Sequence, residues 1–128
     1  MEMKIGSVGR AEALVEKETT AAAAGSGSLL VYGTPYMIAL MEKAACECVK
    51  DFLDEGCGTV GTMLNILHTS ATPVGMEVRA EAVLTAVDGR KLTFDVTAYD
   101  EKGEIGKGTH ERFIIHEEKF LAKTYDKL

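Results

Sequence analysis

The chain has only three cysteines, Cys46, Cys48 and Cys57, and no Cys-x-x-Cys pair. An odd count without that spacing signals neither a disulfide framework nor a zinc site, so small buried thiols are expected. No apolar run reaches the ~18 residues that a membrane-spanning helix needs. The start, Met1-Glu2-Met3-Lys4, has no charged region leading into an apolar one. No signal peptide is read there, and a soluble cytoplasmic protein without a membrane partner is expected. Basic residues are in deficit, with 14 Lys+Arg against 20 Asp+Glu for a net charge of −6. That argues against a broad phosphate-binding surface, and so against nucleic acid as a partner. A small anionic ligand stays open, because a few local cations suffice. The chain also lacks internal repeats, a Gly-x-Ser-x-Gly elbow and a P-loop.

What is present is ordinary globular material. The 128 residues make one domain's worth, 46% hydrophobic and 27% charged, which excludes disorder. A weak alternation from Arg10 to Thr19 is consistent with a strand. Ala21 to Ser28 is rich in small residues and reads as a mobile loop. Thr34-Pro35 then opens a helix, with threonine as N-cap and proline at the first helical position. The helical period runs from Pro35 to about Leu53. Met37, Met41, Ala44, Ala45, Cys48 and Phe52 form an apolar arc, and Lys43, Glu47, Lys50, Asp51 and Asp54 form a polar one. Gly56 and Gly58 stop it.

The remainder reads as strands. Gly61 to His68 is one. From Met76 to Val87, Met76, Val78, Ala80, Ala82 and Leu84 share one face. Asp88-Gly89 signals a hairpin, after which Leu92, Phe94, Val96 and Ala98 keep the inward parity. A second hairpin at Asp100 to Glu104 leads to a last strand, Ile105 to His116. Four consecutive strands on short turns exclude a parallel α/β fold, since parallel neighbours need crossovers. The expected class is α+β: a strand, one long helix, then an antiparallel meander.

Few residues depart from this pattern. Glu42 sits among Ile38, Cys46, Val49 and Leu53, within roughly 40° on a wheel of about 100° per residue. A carboxylate there is either a rim group whose head reaches water or a partly buried functional group. His68 ends its strand beside Thr69-Ser70-Ala71-Thr72-Pro73. His110 and His116, with Arg112 between them, lack metal-ligand spacing and read as solvated strand residues. Thr34 caps the helix, but Met37 rather than Glu or Gln stands at the third helical position, so the capping box is incomplete. Gly106-Lys107-Gly108 lies inside a strand and points to close backbone approach or a bulge. Together Thr34, Glu42 and His68 supply a hydroxyl, a carboxylate and an imidazole.

Several segments carry a family resemblance. They are Val31-Tyr32-Gly33-Thr34-Pro35-Tyr36-Met37-Ile38-Ala39-Leu40-Met41-Glu42-Lys43-Ala44-Ala45, Val60-Gly61-Thr62 and His68-Thr69-Ser70-Ala71-Thr72-Pro73-Val74-Gly75. To these are added Ile105-Gly106-Lys107-Gly108-Thr109-His110-Glu111-Arg112 and the tail His116-Glu117-Glu118-Lys119-Phe120. In residue types and spacing this resembles the fluoroacetyl-CoA thioesterase-like family, from about Val31 to Lys123. The resemblance implies a hotdog fold, a curved antiparallel sheet wrapped around one long helix. It implies an acyl-CoA thioesterase acting as a homodimer or higher oligomer, with sites near the subunit interface. No cofactor or metal is implied, CoA being part of the substrate.

The family's catalytic residues fall on Thr34, Glu42 and His68. Its oxyanion-binding glycine falls on Gly61, and an arginine near the acyl pocket falls on Arg112. Where the family's fluoroacetyl-specific enzyme has a phenylalanine-containing lid, this chain has Gly25-Ser26-Gly27-Ser28-Leu29-Leu30, with no aromatic. A short-chain acyl-CoA substrate without strong fluoroacetyl preference is therefore expected. The alternatives are a non-catalytic acyl-CoA-binding dimer and a hydratase or dehydratase of acyl thioesters. Thr34 and Glu42 would lie about 12 Å apart along an unbroken helix. A site using both requires either a helix that starts after Thr34 or completion across two subunits.

Overall fold

Alternating burial on two neighbouring strands organises the molecule, whose computed structural model describes residues 2–128. Strand β3 (Glu77–Asp88) buries Val78, Ala80, Ala82 and Leu84, and β4 (Lys91–Asp100) buries Leu92, Phe94, Val96 and Ala98. The register pairs Leu84 with Phe94 and Ala82 with Val96, so both faces point the same way. Gly89 makes the intervening turn at φ 61°, a left-handed conformation open to glycine at little cost. Helix α2 (Thr34–Val49) covers this face with Met37, Leu40, Met41, Ala44, Ala45, Cys48 and Val49, all buried. Its apolar arc is the expected one except at the end. The α-helix stops at Val49, a 3₁₀ turn follows at Lys50–Phe52, and Phe52 is only half-buried.

Strand β1 (Val8–Leu14) begins two residues before the predicted span and ends well short of it. It brings Gly9 directly against α2. A β-carbon on Gly9 would strike the Ala44 carbonyl and the Cys48 backbone, with Cys48 Cα at 2.7 Å, so helix and strand touch where no side chain fits. Cys48 is buried beside it and its thiol donates to the Ser7 carbonyl at 3.2 Å. Cys46 and Cys57 are only half-buried, so the expectation of buried thiols holds for Cys48 alone.

Strands β2 (Cys57–His68) and β5 (Gly103–His116) complete one antiparallel sheet in the order β1-β3-β4-β5-β2. Here the predicted four-strand meander is corrected. Only β3, β4 and β5 are a meander. Strand β2 pairs with β5 at the far edge, and residues 69–76 carry the chain back across to β3. Residue alternation fixes which side of a strand faces the core, not which strand lies beside which. The crossing segment is anchored by Thr72, fully buried, whose hydroxyl donates to Asp100 Oδ2 at 2.8 Å. The Thr72 carbonyl accepts from the Tyr32 N–H at 2.9 Å, tying this segment to the entrance of α2.

Two further differences lie outside the core. Ala21–Ala24 is a short helix, α1, rather than a loop. The Thr20 side chain caps its N-terminus, and Gly25 closes it at φ 73°. Helix α3 (Glu117–Tyr125), absent from the sequence reading, follows β5 with Glu117 and Glu118 in its first turn and Lys123 in its last, charges that suit the helix dipole. It buries no residue, so no apolar periodicity announced it. No helix among the described residues is long and apolar enough to cross a membrane.

Candidate active site

Thr34 is not the N-cap of α2. Gly33 holds that position, and Thr34 is the first helical residue. Its hydroxyl is thereby released from capping and lies 2.7 Å from His68 Nδ1. His68 is the last residue of β2, held there as Thr69 N–H donates to the Ile105 carbonyl at 2.8 Å. The helix start is fixed from the other side by Gly33 N–H donating to the Thr19 carbonyl at 2.9 Å. Two backbone anchors on different elements thus aim a hydroxyl and an imidazole at each other.

Burial pushes the His68 pKa below its usual value, with a smaller opposing effect from the Ser70 backbone. The ring is therefore neutral at neutral pH and has a lone pair for the Thr34 proton. In that tautomer Nε2 carries hydrogen, and this buried atom has no hydrogen-bond partner among the described residues. A buried unpaired donor costs about 1–3 kcal/mol, a cost that an acceptor from outside the chain would remove.

Glu42 stands two turns further along the same unbroken helix, so the helix does not begin after Thr34. Within the chain it meets neither Thr34 nor His68. Its Oε2 accepts from Arg112 Nη1 at 3.0 Å, with the Arg112 side chain 7% exposed and that of Glu42 35% exposed. The carboxylate is thus a half-buried, paired group. Gly61, opposite Arg112 in the β2–β5 register, gives it room. A β-carbon on Gly61 would collide with Glu42 Oε2 and lie 3.3 Å from both Arg112 Nη1 and His110 Cε1. The strand pairing is irregular between Gly61 and Met63, which places this backbone at a bulge.

The sequence reading of His110 is overturned. His110 is fully buried, stacked on Phe94 with ring centroids 6.0 Å apart, and Nδ1 lies 2.8 Å from the Met63 carbonyl. Its neighbour across β4 is Phe94, so the available signal was parity with that inward face. Burial lowers its pKa and Arg112 adds to this, against the Met63 carbonyl and Glu42. His116 is exposed, as expected. Thr59 was missed altogether. Its hydroxyl accepts from Arg112 Nε at 2.8 Å and its carbonyl from Nη2 at 3.0 Å. Gly106 shows the expected close approach, since a β-carbon there would lie 2.8 Å from the Leu67 carbonyl and from the Met37 thioether.

The chain thus presents a Thr34–His68 pair and, separately, a Glu42–Arg112–His110 cluster beside Gly61. Among the described residues no three His, Cys, Asp or Glu side chains are placed to hold a metal ion. Residues 15–118 match the family described as FlK, fluoroacetyl-CoA-specific thioesterase. Over 97 residues the chain is 45% identical to the fluoroacetyl-CoA thioesterase of Streptantibioticus cattleyicolor, covering 76% of this chain and 70% of that one. The solved structure of the fluoroacetyl-CoA thioesterase FlK superposes with a TM-score of 0.93 at 36% identity, over 100% of this chain and 99% of that chain. A thioesterase superfamily member from Thermus thermophilus gives a TM-score of 0.90 at 29% identity, over 98% of this chain and 93% of the other. With a five-stranded antiparallel sheet wrapped on one long helix, the chain has the hotdog fold and belongs to the fluoroacetyl-CoA-specific thioesterase family.

Proposed function

We propose that this protein is an acyl-CoA thioesterase that hydrolyses short-chain acyl-CoA to the free acid and CoA. The observation that carries the reading is the 2.7 Å contact between the Thr34 hydroxyl and a neutral, half-buried His68. A hydroxyl within reach of a base is an activated nucleophile. His68 takes the Thr34 proton as the oxygen attacks the thioester carbonyl. The C–S bond breaks, the proton passes to the departing CoA sulfur, and water then releases the acid by the same base. The Gly61 N–H is the donor for the developing oxyanion. No cofactor enters, and a cytoplasmic location, where CoA thioesters are available, goes with this reading.

Glu42 enters the reaction across a subunit boundary. Among the described residues, His68 Nε2 is a buried donor without an acceptor, and the Glu42 carboxylate hydrogen-bonds only to Arg112, through Oε2. In a homodimer, Glu42 of the partner subunit supplies the missing acceptor and stabilises the imidazolium as it forms. Strand β2 favours such pairing. It is a 12-residue edge strand without a buried residue, with Leu64 and Leu67 40% and 62% exposed. An apolar edge of this length is an aggregation hazard unless another strand covers it.

Two experiments test these statements. Acetyl-, propionyl-, butyryl- and fluoroacetyl-CoA should all release CoA, with fluoroacetyl-CoA not favoured by several orders of magnitude. Gly25 to Leu30 offers no aromatic to close a small acyl pocket, and apolar differences alone discriminate by about 1–3 kcal/mol. Binding without CoA release, or hydration of an enoyl-CoA instead, would replace the thioesterase reading by one of its alternatives. In the second, Thr34→Ala and Glu42→Gln chains, each inactive alone, are mixed and allowed to exchange. Half the dimers are then mixed and each regains one intact site, giving about a quarter of wild-type activity per chain. A site built within one chain gives no recovery, because every site then carries one lesion.

A further inference from the structure

We infer that His110 is a positioning residue for this reaction, acting through Arg112, and that Arg112 is an internal clamp on Glu42 rather than a receptor for an anionic acyl group. The inference rests on the thioesterase reading above for what Glu42 does, but not for how it is held. Arginine has five N–H donors and no acceptor. Four of them are used inside this chain. Nε donates to Thr59 Oγ1 at 2.8 Å and Nη2 to the Thr59 carbonyl at 3.0 Å. Nη1 divides its two hydrogens between Glu42 Oε2 at 3.0 Å and His110 Nε2 at 3.2 Å. One donor remains on a side chain that is 7% exposed. A planar guanidinium fixed along both edges in this way cannot swing out to form a bidentate pair with a substrate carboxylate without breaking its present bonds.

The tautomer of His110 follows from the same contacts. Since Arg112 can only donate, Nε2 of His110 must accept. Since the Met63 carbonyl can only accept, Nδ1 must carry the proton, at 2.8 Å. Each ring nitrogen therefore has a different obligatory task, and only the neutral ring performs both. Phe94, stacked on the imidazole, fixes its plane. The chain of support runs from the Met63 carbonyl at the β2 bulge, through His110 and Arg112, to Glu42. The carboxylate lies where a single added carbon on Gly61 would touch it. Removing the Nε2 acceptor leaves one Nη1 hydrogen unpaired, so the Nη1 edge shifts and carries Oε2 with it while Thr59 still holds the other edge. A misplacement of about 1 Å at a reacting group can cost about 100-fold in rate.

The test separates the two ring nitrogens. His110→Asn keeps a donor near the position of Nδ1 but loses the reach to Arg112, whereas His110→Gln keeps an acceptor near the position of Nε2. We expect His110→Asn to lower kcat for acetyl-CoA about 10- to 100-fold with KM little changed, and His110→Gln to recover most of that loss. In a Glu42→Gln background the Asn substitution should cost little more, because the group it positions is already disabled. Nitrogen NMR of the wild-type protein should show protonated Nδ1 and unprotonated Nε2 on His110, with a slowly exchanging Arg112 Nη1–H that becomes fast in His110→Asn. Malonyl-CoA, which carries a free carboxylate, should gain nothing over acetyl-CoA in kcat/KM. Wild-type kcat in a folded His110→Asn variant, an equal loss in the Glu42→Gln background, or a malonyl-CoA preference abolished by Arg112→Lys would overturn the inference. Should His110→Asn fail to fold, the wild-type tautomer and His110→Gln decide it. A wild-type protein that releases no CoA yet shows the expected tautomer and exchange would sink the thioesterase reading and leave the clamp standing.

Discussion

Replacing His68 by alanine is expected to lower kcat for CoA release by about 10²- to 10⁴-fold, the usual contribution of a positioned base. The side chain sits at the end of β2 and, among the described residues, hydrogen-bonds to the Thr34 side chain and not to the sheet, so its removal leaves the sheet ladder intact. The variant should therefore fold and unfold much like the wild type, which circular dichroism on heating checks. Thr34→Ala should cost a similar factor, and the double variant little more, because the two act as one unit. The wild-type pH profile carries a second signature. Burial lowers the His68 pKa while the partner subunit's Glu42 on Nε2 raises it, so the signature is the acidic limb of kcat/KM itself, which falls as the base is protonated. The limb should be absent in His68→Ala. Burial also acts on stability, through His110. Below about pH 6.5 the unfolded chain takes up a proton at His110 that the folded chain resists. Stability is full above that pH and falls as pH drops through the lowered folded value. Near-wild-type turnover in a folded His68→Ala protein would remove the residue from the mechanism.

The parts of the fold that were legible in sequence are those with a strong period. Strands β3 and β4 alternate without a break through Val78 to Leu84 and Leu92 to Ala98, and one face must be buried. Helix α2 carries an apolar arc that its packing confirms at Met37, Met41, Ala44, Ala45 and Cys48. What periodicity does not encode is neighbour choice. Placing β2 beside β5 depends on the crossing segment and on Thr72 reaching Asp100, an interaction between residues 28 positions apart. Local composition also misled at Ala21–Ala24, where four alanines are good helix formers and needed only Thr20 and Gly25 as caps.

Of the candidate site, the hydroxyl and the imidazole were legible in sequence, and their supports less so. Thr34 stood out through its incomplete capping box, and the structure gives the reason: Gly33 caps, and the hydroxyl turns to His68. Glu42 stood out as a carboxylate on an apolar arc, which is where Arg112 can reach it from β5. His110 and Thr59 did not stand out. Both sit on strands whose inward face at this level carries polar groups that satisfy one another, so hydrophobic alternation breaks where the chemistry is built. Arg112 lies on the same parity as His110, and two polar side chains on the inward face of a strand are themselves the signal that was available.

Gly61→Ala is expected to abolish most activity while leaving the fold in place. A methyl group at this position would occupy the space of Glu42 Oε2, and Arg112 Nη1 and His110 Cε1, each 3.3 Å away, leave it no other room. The strand is at an edge and half-open here, so the backbone can yield a little without loss of the sheet. The carboxylate has to move instead, and a displacement of about 1 Å costs about 100-fold in turnover. Strain from backbone geometry does not enter, since Gly61 is not among the positive-φ glycines. Gly75→Ala separates the two effects. Gly75 has φ 97° with nothing within 4 Å of an added β-carbon, so that variant should lose stability through backbone strain and keep its kcat. Combining Gly61→Ala with Glu42→Ala makes the steric origin visible: the truncated side chain no longer meets the methyl, and the double variant should be no slower than Glu42→Ala alone. Losses that multiply would mean that Gly61 contributes by a route other than the place it leaves for the carboxylate, its backbone N–H being the candidate.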